Sequence, residues 1–182
     1  TIAIGYDMIK QEMTKEGISA QYQIIQNEIC EGLELLDTSG KFEEEVWSRQ
    51  GGGGGRTRIM QNGTVIEKGG VNFSAVFGQL PEVVKASLKV DSSDFFATGV
   101  SIVIHPNHPL IPIIHMNIRY FEMNDDIRWF GGGIDVTPHY VYQDDARFFH
   151  GYIKEVCDRF SQEFYYKFKT WADNYFHIKH RD

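Results

Sequence analysis

Three polar side chains at alternate positions, His115, Asn117 and Arg119, interrupt the apolar stretch Ile111–Tyr120. Alternation with a period of two predicts a β-strand that has one apolar and one polar face. Imidazole exchanges protons near neutral pH, and the guanidinium fork pairs with both oxygens of a carboxylate or phosphate. The row therefore predicts a site for an acidic ligand with histidine-assisted chemistry.

A preceding stretch, residues 99–106, repeats this pattern. Ser101 and His105 fall on one face, with Val103 between them, while the isoleucines take the other face. If the two strands are neighbours, four or five polar groups gather on one side of a sheet. Asp135, which follows a glycine triplet, would stand at the rim of the same surface.

The histidines are compatible with two kinds of chemistry. Converging imidazoles bind Zn, Fe or Mn, because the neutral ring is a common metal ligand. The same rings act as proton donors and acceptors near pH 7. The strong H-E-x-x-H metal signature is missing from the sequence, so both alternatives stay open. Taken singly, His150 and His180 are expected to be structural.

An amphipathic helix is predicted near the start of the chain. Apolar residues recur at spacings of three and four between Ile18 and Leu36, which indicates one face packed on a larger element. A short acidic stretch around Trp47, residues 41–49, follows it. We expect this N-terminal part to be scaffold.

The run Gly51–Gly55 and the pair Asn62-Gly63 mark the next segment. Asn-Gly between two β-prone runs, residues 57–60 and 64–67, predicts a hairpin with a two-residue loop. The glycine run fits a flexible linker or a loop whose bare backbone approaches a ligand, and composition favours neither. No G-x-x-x-x-G-K-[ST] pattern occurs, so a phosphate loop is not expected.

The rest of the chain is predicted to form strands and then helices, after a surface excursion over residues 79–94. The predicted strands are 95–104, 111–121 and 127–138, the last broken at Gly131–Gly133, and the predicted helices are 144–160 and 163–175. Helix, strands and helices in this order, without βαβ alternation, predict an α+β fold with an antiparallel sheet.

Composition narrows the class of protein. The chain has 182 residues, enough for one sizeable core, and its net charge of -7 without a basic stripe argues against a nucleic-acid partner. Two cysteines, Cys30 and Cys157, favour a reducing compartment and leave a single disulfide open. No apolar run is long enough for a transmembrane segment. Residues 1–12, which precede Met13, are either native or an added extension.

Five stretches in consecutive order resemble the signatures of one enzyme family. They are "GGGGGRTRIMQNGTVIEKGGVNFSAVFG", "ATGVSIVIHPNHPLIPIIHMNIRYFE", "WFGGGIDVTPHY", "DDARFFHGYIKEVCDRF" and "KFKTWADNYFHIKHR". Together they span about residues 20–181 and resemble the oxygen-dependent coproporphyrinogen-III oxidases. Five ordered motifs make this resemblance specific.

The resemblance implies a fold and an activity. The family converts two propionates of coproporphyrinogen III to vinyl groups in haem biosynthesis, consuming O₂ and yielding protoporphyrinogen IX and CO₂. It implies a large antiparallel sheet flanked by helices on both sides, one domain over residues 1–182, and a homodimer that binds coproporphyrinogen III in a deep cleft. No Arg-rich leader is visible, which favours a bacterial cytoplasmic enzyme.

The resemblance also implies roles for the polar row. It implies a proton donor at His115, a propionate partner at Arg119 and a carboxylate at Asp135 that accepts pyrrole N–H groups. The substrate-binding residues that it implies are Ser101, Asn117, Ile118 and Arg119.

A metal is left open by the resemblance. Some bacterial members have been assigned a divalent metal such as manganese at four histidines, and others need no cofactor besides the co-substrate O₂. This sequence has histidine at all four matching positions, which are His105, His115, His150 and His180.

The chain also departs from the family pattern. Members continue beyond the position of Asp182 with a glycine-rich segment, so we expect this domain to be incomplete at its C-terminus. Two other functions stay open: a histidine-ligated metal oxygenase acting on another acid, and a tetrapyrrole-binding module without turnover.

Overall fold

The computed structural model describes residues 14–80, 82–83, 85, 94–123, 127–178 and 180. These residues form three helices and six strands: α1 (Lys15–Asp37), β1 (Glu43–Ser48), β2 (Gly53–Gln61), β3 (Ile66–Gln79), β4 (Asp94–Pro106), β5 (Ile113–Met123), β6 (Ile127–Thr137), α2 (Gln143–Asp158) and α3 (Phe164–Phe176). They fall into two compact units, Thr1–Thr137 and Pro138–Asp182, which are described one at a time.

The first unit contains one antiparallel sheet in which each strand pairs with the next along the chain, in the order β1 to β6. The α+β class with a large antiparallel sheet is therefore confirmed. The predicted break at Gly131–Gly133 is wrong, because β6 continues through the triplet. These glycines pair in register with residues 117–119 of β5, and the ladder holds them in extended conformation.

The glycine run Gly51–Gly55 is not a linker. Gly53 begins β2, which pairs with β1 on one side and β3 on the other. Gly52 and Gly53 have φ of 110° and 82°, which favour glycine, and a Cβ on Gly53 would meet the Ala75 carbonyl. These glycines allow the backbones of neighbouring strands to approach each other closely.

The hairpin at Asn62-Gly63 is confirmed, with two differences from the prediction. Its loop has four residues instead of two, and its second strand, β3, extends to Gln79 instead of ending near Glu67. Asn62 has a positive φ of 56°, and the N–H groups of Asn62 and Gly63 donate to the carbonyls of Glu67 and Ile66. Pairing with β2 and β4 carries β3 through its Gly-Gly pair.

Helix α1 covers one face of the sheet, as its periodicity predicts. Its buried side chains, including Ile18 and Tyr22, pack on sheet residues such as Val71 and Val100. Gln26 is fully buried in this contact, and its Nε2 donates to two main-chain carbonyls of the sheet, at 2.8 and 2.7 Å. These bonds satisfy a polar group that would be costly to bury alone.

The last residue of α1, Asp37, fastens the helix to the β2–β3 loop. Its carboxylate accepts hydrogen bonds from the N–H groups of Gly40, Thr64, Val65 and Ile66, at 2.6 to 2.9 Å. The bond from Ile66, reinforced by the others, lowers the pKa of Asp37 well below its ordinary value, although burial opposes this. The carboxylate therefore stays ionised inside the unit.

Replacing Asp37 by asparagine is expected to destabilise the first unit, because the amide nitrogen cannot accept these bonds. We expect a fall in Tm of about 5 °C or more. The exposed Glu31→Gln on the same helix serves as control and should leave Tm nearly unchanged. Thermal unfolding followed by circular dichroism measures both.

Asp37 also determines how the stability of the first unit should change as the pH falls. The folded pKa of Asp37 is depressed, so the unfolded chain takes up the proton first, and the stabilisation is present above the unfolded pKa of about 3.9. It is lost as pH falls below that value. Between pH 6 and pH 3 the Tm of the wild type should fall more steeply than that of Asp37→Asn, and parallel slopes would contradict this assignment.

The second unit contains α2 and α3, close to the two helices predicted. The His150 ring nitrogen Nδ1 lies 3.2 Å from the Tyr165 hydroxyl, which links the two helices.

Both cysteines, Cys30 and Cys157, are free thiols, so the disulfide left open by the sequence is not formed. Within the described part of the chain, no helix is long and apolar enough to cross a membrane. Most of the predicted excursion over 79–94 lies outside the described residues.

Candidate active site on the polar face of the sheet

The strand register brings the two predicted polar rows together. Ser101 of β4 pairs with Asn117 of β5, and Gly99 pairs with Arg119. Directly paired positions of an antiparallel sheet project from the same face. The prediction that the rows share one side of a sheet is therefore confirmed.

Strand β6 adds the predicted rim residue. Asp135 pairs with His115 on the neighbouring strand, while Asn117 pairs with Gly133. We call this side of β3 to β6 the polar face, defined by Ser101, His115, Asn117, Arg119 and Asp135. Helix α1 packs on the other side of the sheet.

Ile118 lies on the other side of the sheet from the remaining predicted site residues, and its substrate-binding role stays a prediction. Its side chain points away from the polar face and packs against the core beneath α1. The period of two in the strand puts Ile118 on the opposite side from Asn117 and Arg119. A ligand on the polar face can reach Ile118 only through its main chain.

His115 and Asp135 form the closest polar pair of the site. The Nδ1 atom of His115 lies 3.0 Å from Oδ2 of Asp135, and the two side chains are 40% and 30% exposed. A carboxylate at Nδ1 favours the tautomer that carries its proton there, which leaves Nε2 as a proton acceptor. Asp135 keeps Oδ1 for another donor, so the pair can hold a proton and accept a hydrogen bond simultaneously.

Arg119 carries an uncompensated charge on the polar face. It is exposed, and within the described ranges it forms no hydrogen bond or ion pair. By contrast, Arg56 and Arg58 on the helix side are held by Gln26 and Glu44. The cross-strand neighbours of Arg119 are both glycines, so no side chain flanks it there. Its guanidinium is available to an acidic ligand.

A groove of about 430 Å³ crosses the polar face beside Arg119. Its lining residues are Asn72, Ser74, Ala97, Thr98, Gly99, Val100, Ser101, Arg119, Tyr120, Phe121 and Trp129. Asn72 and Ser74 were not predicted from the sequence, although they alternate with Val71 and Phe73 as the other polar rows do. The two aromatic rings at the groove wall, Phe121 and Trp129, were not predicted either.

The groove and the predicted histidines overlap only in part. His105 is exposed and projects from the polar face of β4, and His115 projects from β5. His150 and His180 belong to the second unit. Among the described residues, no three His, Cys, Asp or Glu side chains are placed to hold a metal ion. The four-histidine metal site that the resemblance implies combines residues of both units and stays a prediction.

Tyr120 lines the groove, but its hydroxyl points to the helix side. The ring is 2% exposed, and the hydroxyl donates to Glu122 Oε2 at 2.6 Å. Burial, together with the Glu122 carboxylate, raises the pKa of Tyr120 to about 12. The phenol therefore stays neutral and is not a proton-transfer group for the polar face.

Comparison with known proteins identifies the family. Residues 17–182 match the family described as coproporphyrinogen III oxidase. The chain is 41% identical to coproporphyrinogen-III oxidase 1, chloroplastic, of Arabidopsis thaliana, over 97% of this chain and 50% of that protein. It is 46% identical to the oxygen-dependent coproporphyrinogen-III oxidase of a Synechococcus strain, over 92% of this chain and 47% of the relative. A Prochlorococcus marinus protein of the same name is 47% identical, over 87% and 46%.

The chain thus spans about half the length of the curated relatives it matches. The match nevertheless extends over nearly all of the chain and includes every strand of the polar face. The resemblance seen in the five ordered motifs is confirmed. The chain belongs to the coproporphyrinogen III oxidase family.

Proposed function

We propose that the protein containing this chain catalyses the oxygen-dependent oxidative decarboxylation of coproporphyrinogen III to protoporphyrinogen IX. The observation that carries the proposal is the uncompensated Arg119 on the same face of the sheet as the hydrogen-bonded pair of His115 and Asp135. The names of the relatives support the same reaction. In each half of the reaction, a propionic acid side chain and O₂ give a vinyl group, CO₂ and H₂O₂.

Substrate binding is assigned to the part of the polar face at the groove. Arg119 pairs with one propionate of the substrate, because its planar fork matches the two carboxylate oxygens. Asn117 and Ser101, which face each other across β4 and β5, donate further hydrogen bonds to the acid. This arrangement fixes one side chain of a substrate that has four carboxylates.

Proton transfer is assigned to His115 and Asp135. The free Oδ1 of Asp135 accepts a pyrrole N–H, and Oδ2 holds the His115 ring. His115 Nε2 then takes or returns a proton as the pyrrole reacts with O₂ and the resulting peroxide removes a hydrogen from the propionate. The electrons go to O₂, and the carboxylate leaves as CO₂.

A turnover assay tests the proposal directly. The full-length protein is supplied with coproporphyrinogen III in air and under nitrogen, and the product is oxidised to fluorescent protoporphyrin. We expect product only in air, with one CO₂ per vinyl group formed. Absence of product in air, with and without added Mn²⁺, would refute the proposed function.

The four-histidine metal site stays a prediction. It requires His150 and His180 of the second unit to meet His105 and His115 of the first. Elemental analysis of the full-length protein before and after chelation tests it. One tightly held divalent ion per chain, released together with activity, would support the site.

The assembly and the location are proposals as well. A homodimer is expected from the resemblance, and sedimentation of the full-length protein measures it. The relatives include a chloroplastic plant protein and cyanobacterial proteins, so their names favour no single compartment. The bacterial cytoplasm stays a prediction that localisation of a tagged copy tests.

The glycine triplet of β6, Gly131–Gly133, provides a steric test of where the substrate lies. A Cβ added to Gly133, the partner of Asn117, meets no described atom within 4 Å, so Gly133→Ala should leave Tm unchanged. If substrate occupies that space, KM should rise several-fold. The control is Gly32→Ala on α1, which also enters open space and should leave KM unchanged. An unaltered KM in Gly133→Ala would place the substrate elsewhere.

A further inference from the structure

An aromatic stack stands at one end of the groove on the polar face. The rings of Phe121 and Trp129, paired across β5 and β6, lie 4.3 Å apart at 28°. Phe95 continues the stack, with its ring 6.1 Å from that of Phe121 and almost parallel to it. Trp129 remains 45% exposed although it is stacked.

The stack is separate from the hydrophobic core. The core lies beneath α1 on the opposite side of the sheet, and neither Phe121 nor Trp129 belongs to it. On the polar face both rings line the groove that Arg119 also lines. A half-exposed indole beside a free guanidinium is suited to a ligand that is aromatic at one end and acidic at the other.

The spacing of the two features limits the ligand. Arg119 and Phe121 are two residues apart on β5, which separates their Cα atoms by roughly 6.6 Å. A ligand whose carboxylate binds Arg119 therefore needs only a short arm between that carboxylate and the ring that reaches the stack. A propionate on a pyrrole ring has such an arm, because two carbon atoms separate its carboxylate from the ring.

We propose that Phe121 and Trp129 form a stacking wall that holds the pyrrole ring whose propionate binds Arg119. This inference rests on the proposed function and makes the two rings specificity-determining residues of the same site. The wall selects acids that carry a flat ring two carbons from the carboxylate. It also orients the reacting side chain along the groove.

The first test separates binding from chemistry in the full-length protein. Trp129→Leu is expected to raise KM for coproporphyrinogen III about three- to tenfold with kcat within about twofold, the range of one aromatic contact. Trp129→Phe, which keeps a ring, should restore KM to within about twofold of the wild type. The matched control is Phe130→Leu, the next residue of β6, which projects to the opposite side and contacts Tyr120.

A second measurement uses small acids as probes and does not depend on turnover. Indole-3-propionate is compared with an aliphatic acid of equal carbon number by calorimetric titration. The wild type should bind the aromatic acid more tightly than the aliphatic one, and Trp129→Leu should lose that preference. In both proteins, the binding of either acid should still depend on Arg119. Circular dichroism and Tm establish that each variant is folded.

The outcomes distinguish the wall from the proposed function. Unchanged KM in Trp129→Leu, or an aromatic preference retained in that variant, would overturn the wall even if the enzyme turns over coproporphyrinogen III. If the wild type shows no turnover but its preference for the aromatic acid depends on Trp129, the stacking wall is supported as a binding site for aromatic acids. The proposed function then fails.

Discussion

Arg119→Ala is expected to raise the KM of the full-length protein for coproporphyrinogen III by roughly tenfold to a hundredfold. A hydrogen-bonded ion pair with a carboxylate contributes about 1.5–3 kcal/mol, which corresponds to that range. Arg119 has no partner among the described residues, so its removal leaves no buried group unsatisfied and Tm should not change. Steady-state kinetics and thermal unfolding measure the two effects separately.

Two comparisons show that the loss arises from the carboxylate. Arg119→Lys keeps the charge but not the fork, so its KM should lie between those of the wild type and the alanine variant. Arg128→Ala removes an arginine that lies opposite Glu122 in the β5–β6 register, on the other side of the sheet, and should leave KM unchanged. A porphyrinogen ester should bind the wild type and Arg119→Ala with equal affinity. A weaker ester affinity in the variant would contradict the proposed pairing.

Asp135→Asn and His115→Gln are expected to lower kcat by about 10²- to 10⁴-fold, the contribution usual for a positioned acid–base group. The asparagine keeps the shape of Asp135 but cannot stabilise a protonated ring 3.0 Å away. KM should change much less than kcat, because neither residue carries the propionate. Single-turnover kinetics isolate the chemical step.

The matched control for this pair is Asp94→Asn. Asp94 is an exposed carboxylate on β4 that accepts a hydrogen bond from Gln79. Its removal should alter neither kcat nor KM. If Asp135→Asn and His115→Gln both kept kcat within threefold of the wild type, the assignment of proton transfer to this pair would be wrong.

Much of the polar face could be predicted because strand periodicity is local. The alternation of His115, Asn117 and Arg119 fixes their shared side, and the short turn before β5 makes the neighbouring strand antiparallel. Asp135 could be predicted only as a rim residue. Its pairing with His115 is a register between strands, which depends on tertiary contacts.

Other features could not be predicted because they depend on neighbours in space. The predicted hairpin strand ended at residue 67, just before a Gly-Gly pair of low strand propensity. Pairing with β2 and β4 extends β3 through that pair and past Asn72 and Ser74. Gly131–Gly133 stays extended for the same reason. Ile118 entered the predicted site through its motif, whereas its position in the strand points it to the core.

The central claim is that the acidic tetrapyrrole binds on the polar face of β3 to β6, and a structure of the full-length protein with bound coproporphyrin III tests it most directly. We expect one propionate within hydrogen-bonding distance of Arg119, with its pyrrole ring against Trp129 and a ring nitrogen next to Asp135. A macrocycle bound away from this face, with Arg119 still free of the ligand, would contradict the account.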